Sequence, residues 1–207
     1  IFEVFAVDNL DDFFGVKAKE MELSYYRKSE KVKANPVDIL SWKYYCYHLS
    51  KNDDSCLCPF EKDTDITMLT RELNNVFKEN KNTVNQTQDV LNRYGIRFLV
   101  VNKVGQVPVD GMSFWIGDTP TIVITERIAS IDNFAFTTLH EVGHVFKHLT
   151  PNGKAMISLM EDKKDIEETE ADEFALNAIL PNADWKKFMT RTRNVAPYKI
   201  APHIQTE

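Results

Sequence analysis

The chain has 207 residues, 43% of them hydrophobic and 27% charged, with a formal net charge of −6 at pH 7. That length buries a real core, in one domain or in one domain with a helical extension, and the acidic balance argues against DNA binding by this segment alone. No apolar run is long enough to span a bilayer, and three cysteines, an odd number, argue against a disulfide framework and fit a reducing cytoplasm.

Residues 1–92 read as mainly helical. The opening IFEVFAVDNLDD is acidic, unlike the basic start of a signal peptide. Asn35-Pro36 marks a helix start, and VDILSWKYYCYHLSK follows with apolar residues on a recurrent face. KNDDSCLCPFEKDTD is a polar loop containing Pro59. Cys56 and Cys58 form a CxC there, with Cys46 and His48 upstream. Structural zinc usually takes two matched halves of CxxC type; only one half is present, so these are expected to be free thiols. ITMLTRELNNVFKEN is an amphipathic helix with Ile66, Leu69, Leu73, Val76 and Phe77 on one side. TVNQTQDVLNRYG predicts another helix, ending at Gly95 as a C-cap.

The character then changes. IRFLVVNKV is short and β-rich, and GQVPVDG is a turn-rich link. MSFWIG and TIVITE predict two strands of a hairpin around Gly117-Asp118-Thr119-Pro120. Helical patterns return at 131–150, at about 163–180 and at about 182–193. The sum is a small sheet beside helices, an α+β fold, with a helical extension at 1–92 and the main domain at 93–207.

The helix at 131–150 carries His140-Glu141-Val142-Gly143-His144. Two histidines four apart lie on one helix face, so both imidazoles can reach one ion, and the intervening glutamate can reach a water on it. Two neutral nitrogens, one carboxylate and an open water position describe a catalytic zinc site. The flanks Phe134, Leu139, Val142, Val145, Phe146 and Leu149 predict a mostly buried helix, and unpartnered buried polar groups cost about 1–3 kcal/mol each. A metal removes that cost.

Acids that follow offer a third ligand. Glu170 begins EADEFALNAILP, in which Ala171, Phe174, Ala175, Ala178 and Ile179 recur at helical spacing, and it lies on the shoulder of that stripe. Glu167 is its main rival. Asp172 or Glu173 suits the role of accepting the spare N–H of a ligand histidine. His148 completes a column with His140 and His144, but each is about 6 Å further along the axis, so a straight helix cannot bring all three to one ion. It is expected to be structural or to face substrate. Lys147 and Thr150 stand where the metzincin pattern needs glycine and histidine, which excludes that class.

HEVGHVFKH at 140–148, ETEADEFALNAILP at 168–181 and the upstream DGMSFWIGDTPTIVITERIASIDNFAFTTLHE at 110–141 together resemble the ImmA/IrrE family of HExxH metallopeptidases. The resemblance implies a zincin-like domain, with a mainly antiparallel sheet against the active-site helix. It implies zinc held by His140, His144 and Glu170, with Glu141 as general base. Residues 10–45 also resemble the subset in which a Cro/repressor-type helix-turn-helix precedes the peptidase-like domain, often labelled transcriptional regulators or antidotes of toxin–antitoxin modules. This chain begins at Ile1 without that motif and ends at HIQTE within a helical pattern, so it is expected to be a fragment, with any DNA binding in the missing part.

Two functions follow as expectations. One is a cytoplasmic regulatory endopeptidase that cuts a specific protein such as a repressor. The other is a metal-binding, non-catalytic sensor domain of a helix-turn-helix regulator or antitoxin. The intact Glu141 favours the first, because a purely structural metal site has no use for it. Within the cleft, Ile122 to Thr125 is a candidate edge strand for pairing an extended substrate, or else an ordinary core strand. Phe114 and Trp115 are candidates for lining it, and Tyr198 and His203 for a second oxyanion donor.

Overall fold

A four-stranded sheet separates two layers of helix in the computed structural model, which describes residues 36–55, 57–102, 107–126, 130–151, 155–159 and 166–180. In chain order the elements are α1 (Pro36–Lys51), α2 (Ile66–Glu79), α3 (Thr83–Arg93), β1 (Arg97–Val101), β2 (Val109–Ile116), β3 (Thr119–Thr125), α4 (Ile131–Lys147), β4 (Met156–Leu159) and α5 (Ile166–Ile179). The expected helix at 182–193 lies outside the described residues, as do Tyr198 and His203. Among the described residues no helix is long and apolar enough to cross a membrane.

Local chemistry sets several of these boundaries. Asp65 starts α2, its carboxylate accepting from the Thr67 and Met68 N–H groups, and Asn80 ends it in the left-handed region. Between these caps Leu69, Leu73, Val76 and Phe77 recur at helical spacing and are buried. Gly95, after α3, has φ +73°, and a Cβ there would meet the Phe60 backbone at 2.5 Å, so only glycine fits this turn into β1. The hairpin is tighter than its sequence suggests. Ile116 pairs with Thr119 across Gly117-Asp118, with Gly117 at φ +56°. Pro120 falls inside β3, one residue before the first residue paired with β1, where a missing N–H is tolerated.

The strand order is β1-β3-β2-β4. β1 runs parallel to β3, and β2 runs antiparallel to both β3 and β4. The α+β fold with helices on a mainly antiparallel sheet is therefore as expected, but two details differ. β4 has only four residues, too few for a readable alternation, and the sequence gives no sign of it. β3 is an interior strand, flanked on both sides, so Ile122 to Thr125 do not form a substrate-pairing edge; all four are buried.

Alternation along the strands divides the core into two layers. On one face Phe98, Ile122 and Ile124 pack with Leu69, Leu73, Leu91, Phe134 and Leu139, so α2 and α3 share one core with the sheet and α4. On the other face Met112, Phe114 and Val123 pack with Trp42 and Cys46 of α1. The ring of Phe114 lies 4.2 Å from that of Tyr47, and Trp115 meets Phe60 edge-on at 5.5 Å. Phe114 is buried in the second core layer, and Trp115, partly buried, packs against the first. Cys46 is fully buried, and burial pushes its thiol pKa up, whereas Cys58 is exposed; both are free. Cys56 lies outside the described residues.

Candidate metal centre

α4 starts after Ser130 and carries the site through the core. Its apolar positions anchor it against the sheet and α2, which buries His140, Glu141 and His144 along with them. Glycines on two sides allow this. A Cβ on Gly111 of β2 would sit 2.5 Å from Glu141 Oε1, so the strand passes directly beside that carboxylate. A Cβ on Gly143 would sit 3.1 Å from Phe174 Cδ1 and 3.3 Å from Ala171 Cα, so α5 lies against α4 at this point. Ala171 and Ala175, both wholly buried, give α5 the matching small face.

The closeness of the two helices brings three ligating groups together. The Nε2 atoms of His140 and His144 are 3.0 Å apart. Glu168 Oε2 lies 3.1 Å from His140 Nε2, and its Oε1 lies 3.3 Å from His144 Nε2. One ligand atom from each of the three residues fits within 4.8 Å of the others, and this is the one such group among the described residues. His140 Nδ1 donates to Asp172 Oδ1 at 2.9 Å. A neutral His140 that donates from Nδ1 has only a lone pair at Nε2, and that lone pair faces both a carboxylate and a second imidazole nitrogen. Such a convergence repels itself unless a proton or a cation occupies it. Two imidazole nitrogens and one carboxylate oxygen suit zinc, so these residues fit that ion.

Electrostatics follow the same geometry. Burial works against protonating His140, but the Glu168 carboxylate, with Glu141 and Asp172 nearby, outweighs it and raises the His140 pKa. Burial likewise works against ionising Glu168. Its hydrogen bonds to His140 and His144 prevail and lower its pKa to about 2. The carboxylate is thus held ionised and facing the imidazoles.

The structure places the expected site residues unequally. His140, His144 and Glu141 lie together, and Asp172 takes the supporting role foreseen for it or for Glu173. Glu170 is not brought to the pair: it is half exposed, with its carboxylate at His148 Nε2. Helix phase explains this. At about 100° per residue, Glu168 lies about 40° from the centre of the Ala171/Ala175 stripe and Glu170 about 120° from it, on the other shoulder. Sequence reasoning missed Glu168. The signal was present in Glu168, Ala171, Asp172 and Ala175, whose spacing of three, four and seven puts two acids and two small residues on one face.

The family model described as Peptidase_M78, IrrE N-terminal-like domain, matches residues 91–204, a span that includes β1 to β4, α4 and α5. The search among curated proteins gives no match. The chain belongs to the IrrE N-terminal-like peptidase family.

Proposed function

We propose that the chain is a zinc-dependent endopeptidase domain of a cytoplasmic regulatory protein, with His140, His144 and Glu168 as the ligands. The convergence of their ligating atoms beside a buried Glu141 carries this reading. Zinc, when bound, would supply the Lewis acid that activates water and stabilises charge on the scissile carbonyl. The protein's own groups do the rest. Asp172 holds His140 with its lone pair inward. Glu141 accepts the proton of the attacking water and returns it to the leaving amine.

β4 suits an extended substrate. It is an edge strand among the described residues, and its Ser158 pairs with Gly111, the residue against which Glu141 rests. A peptide adding to that edge would run past the general base. The regulatory setting, with a specific protein such as a repressor as substrate, is supported by the resemblance of residues 10–45 to helix-turn-helix fusions.

Glu141→Gln tests the role of the base. The variant is expected to keep its zinc and to lose at least 100-fold in hydrolysis, the lower end of what general base catalysis supplies being about 10². Full hydrolysis by the variant would refute the assignment.

A further inference from the structure

His148 lies one helical turn beyond His144 at the end of α4, and its side chain is 6% exposed. The two Nδ1 atoms are 2.9 Å apart. The other nitrogen of His148, Nε2, lies 3.0 Å from Glu170 Oε2. His144 Nε2, Nδ1, His148 Nδ1, Nε2 and the Glu170 carboxylate therefore form one continuous chain of contacts leading outward from the ligating atoms.

The chemistry of its outer end gives this chain a direction. A carboxylate only accepts, so His148 must carry its proton on Nε2 and donate it to Glu170. A neutral His148 then has a lone pair at Nδ1, which accepts from His144 Nδ1–H. His144 in turn is left with its lone pair at Nε2, toward His140 and Glu168. Each step fixes the next, and each proton position follows from two conditions, that Glu170 only accepts and that His148 is neutral.

We infer that His148 and Glu170 are positioning residues that lock His144 in the tautomer able to bind the metal. The inference rests on the reading of His140, His144 and Glu168 as the ligand set. It gives His144 a support equivalent to the one Asp172 gives His140, through one more imidazole. It also gives Glu170 a function that does not involve touching the ion.

Glu170→Gln separates this role from packing. The amide has the same shape but can donate as well as accept, so the chain can run backwards. Glutamine then donates to His148 Nε2, His148 donates from Nδ1 to His144 Nδ1, and His144 carries its proton on Nε2, where it blocks the metal. His148→Ala removes the acceptor altogether. His148→Asn restores an acceptor near the Nδ1 position without the link to Glu170.

The experiment measures zinc and cobalt affinity of the full chain by chelator competition. It also follows the His144 ring tautomer in the metal-free protein by long-range proton–nitrogen NMR, with melting of each metal-free variant as a check on folding. Affinity is expected to fall about 10- to 100-fold in Glu170→Gln and His148→Ala, with partial recovery in His148→Asn. The His144 proton is expected to move from Nδ1 toward Nε2 in Glu170→Gln. Because Glu170 is half exposed, that variant keeps the test open even if His148→Ala does not fold. Wild-type binding with unchanged affinity and tautomer in Glu170→Gln would overturn this inference alone. Absence of binding by the wild type would overturn the ligand assignment and this inference with it.

Discussion

Gly111→Ala would strike the proposed general base, Glu141, without altering any of the proposed ligands. The added Cβ would lie 2.5 Å from Glu141 Oε1 and 3.0 Å from its Cδ and Cγ, where ordinary contact begins at 3.4 Å. The carboxylate oxygen must therefore retreat by about 0.9 Å from a contact that real Cβ atoms essentially never make, and the carbons behind it by about 0.4 Å. Glu141 is wholly buried, so it cannot swing into solvent to do so. Crowding of this kind costs about 1–3 kcal/mol of stability. A displacement of about 1 Å in a catalytic group costs about 10²-fold in rate. The assay would digest a peptide library with zinc-reconstituted wild type and variant, read by mass spectrometry, with zinc affinity measured in parallel. The expected result is near-normal zinc affinity, because the three atoms nearest the added Cβ all belong to Glu141 and none to His140, His144 or Glu168, with hydrolysis down about 100-fold. Hydrolysis at the wild-type rate would refute the placement of Glu141 at β2 as the origin of its activity.

Three further outcomes are expected. Gly143→Val would press on Phe174 and the Ala171 backbone, moving α5 outward with Glu168 and Asp172 on it; denaturation should show a loss of about 1–3 kcal/mol, and zinc affinity should fall as well. Asp172→Ala removes the acceptor at His140 Nδ1 and should weaken zinc binding about 10- to 100-fold in chelator competition. The metal-free protein should be most stable in weak acid. Glu168 is lowered from 4.5 to about 2, so its contribution, on the order of 3 kcal/mol, is complete above pH 4.5 and lost as pH falls toward 2. His140 is raised above 6.5, so its contribution is complete below that pH and lost as pH rises through its folded value. Zinc should shift the optimum to higher pH, because protons compete with the ion for the imidazoles. Urea titrations across pH, with and without zinc, would check this, and metal-free stability rising steadily from pH 5 to 8 would contradict it.

How much the sequence discloses depends on the range of the interaction that decides each feature. α2 and α4 are legible because their apolar spacing is local, and the HExxH residues share one helix, so their relative placement needs no tertiary information. The choice among acids on α5 is different. Glu167, Glu168 and Glu170 cover both shoulders of the alanine stripe, and only the close approach at Gly143 and Ala171 decides which shoulder meets the imidazoles. The paired spacing of Glu168 and Asp172 was the available clue, and the apolar stripe alone did not use it. Strand order was also beyond local reading. β3 becomes interior because β1 joins it in parallel from a distance in sequence, and β4 exists only through its pairing with β2. His148 was expected not to share an ion with His140 and His144, and it lies outside the group they form with Glu168; its partner Glu170 became visible only in three dimensions.

Elemental analysis of the zinc-reconstituted chain, run beside Glu168→Ala, Glu170→Ala and His140→Ala after equal dialysis, tests the central claim most directly. One equivalent of zinc is expected in the wild type, little in His140→Ala and Glu168→Ala, and a full equivalent in Glu170→Ala when free zinc is held well above its weakened dissociation constant. Zinc lost with Glu170 but kept without Glu168, or no zinc in the wild type at neutral pH, would contradict the ligand set described for this site.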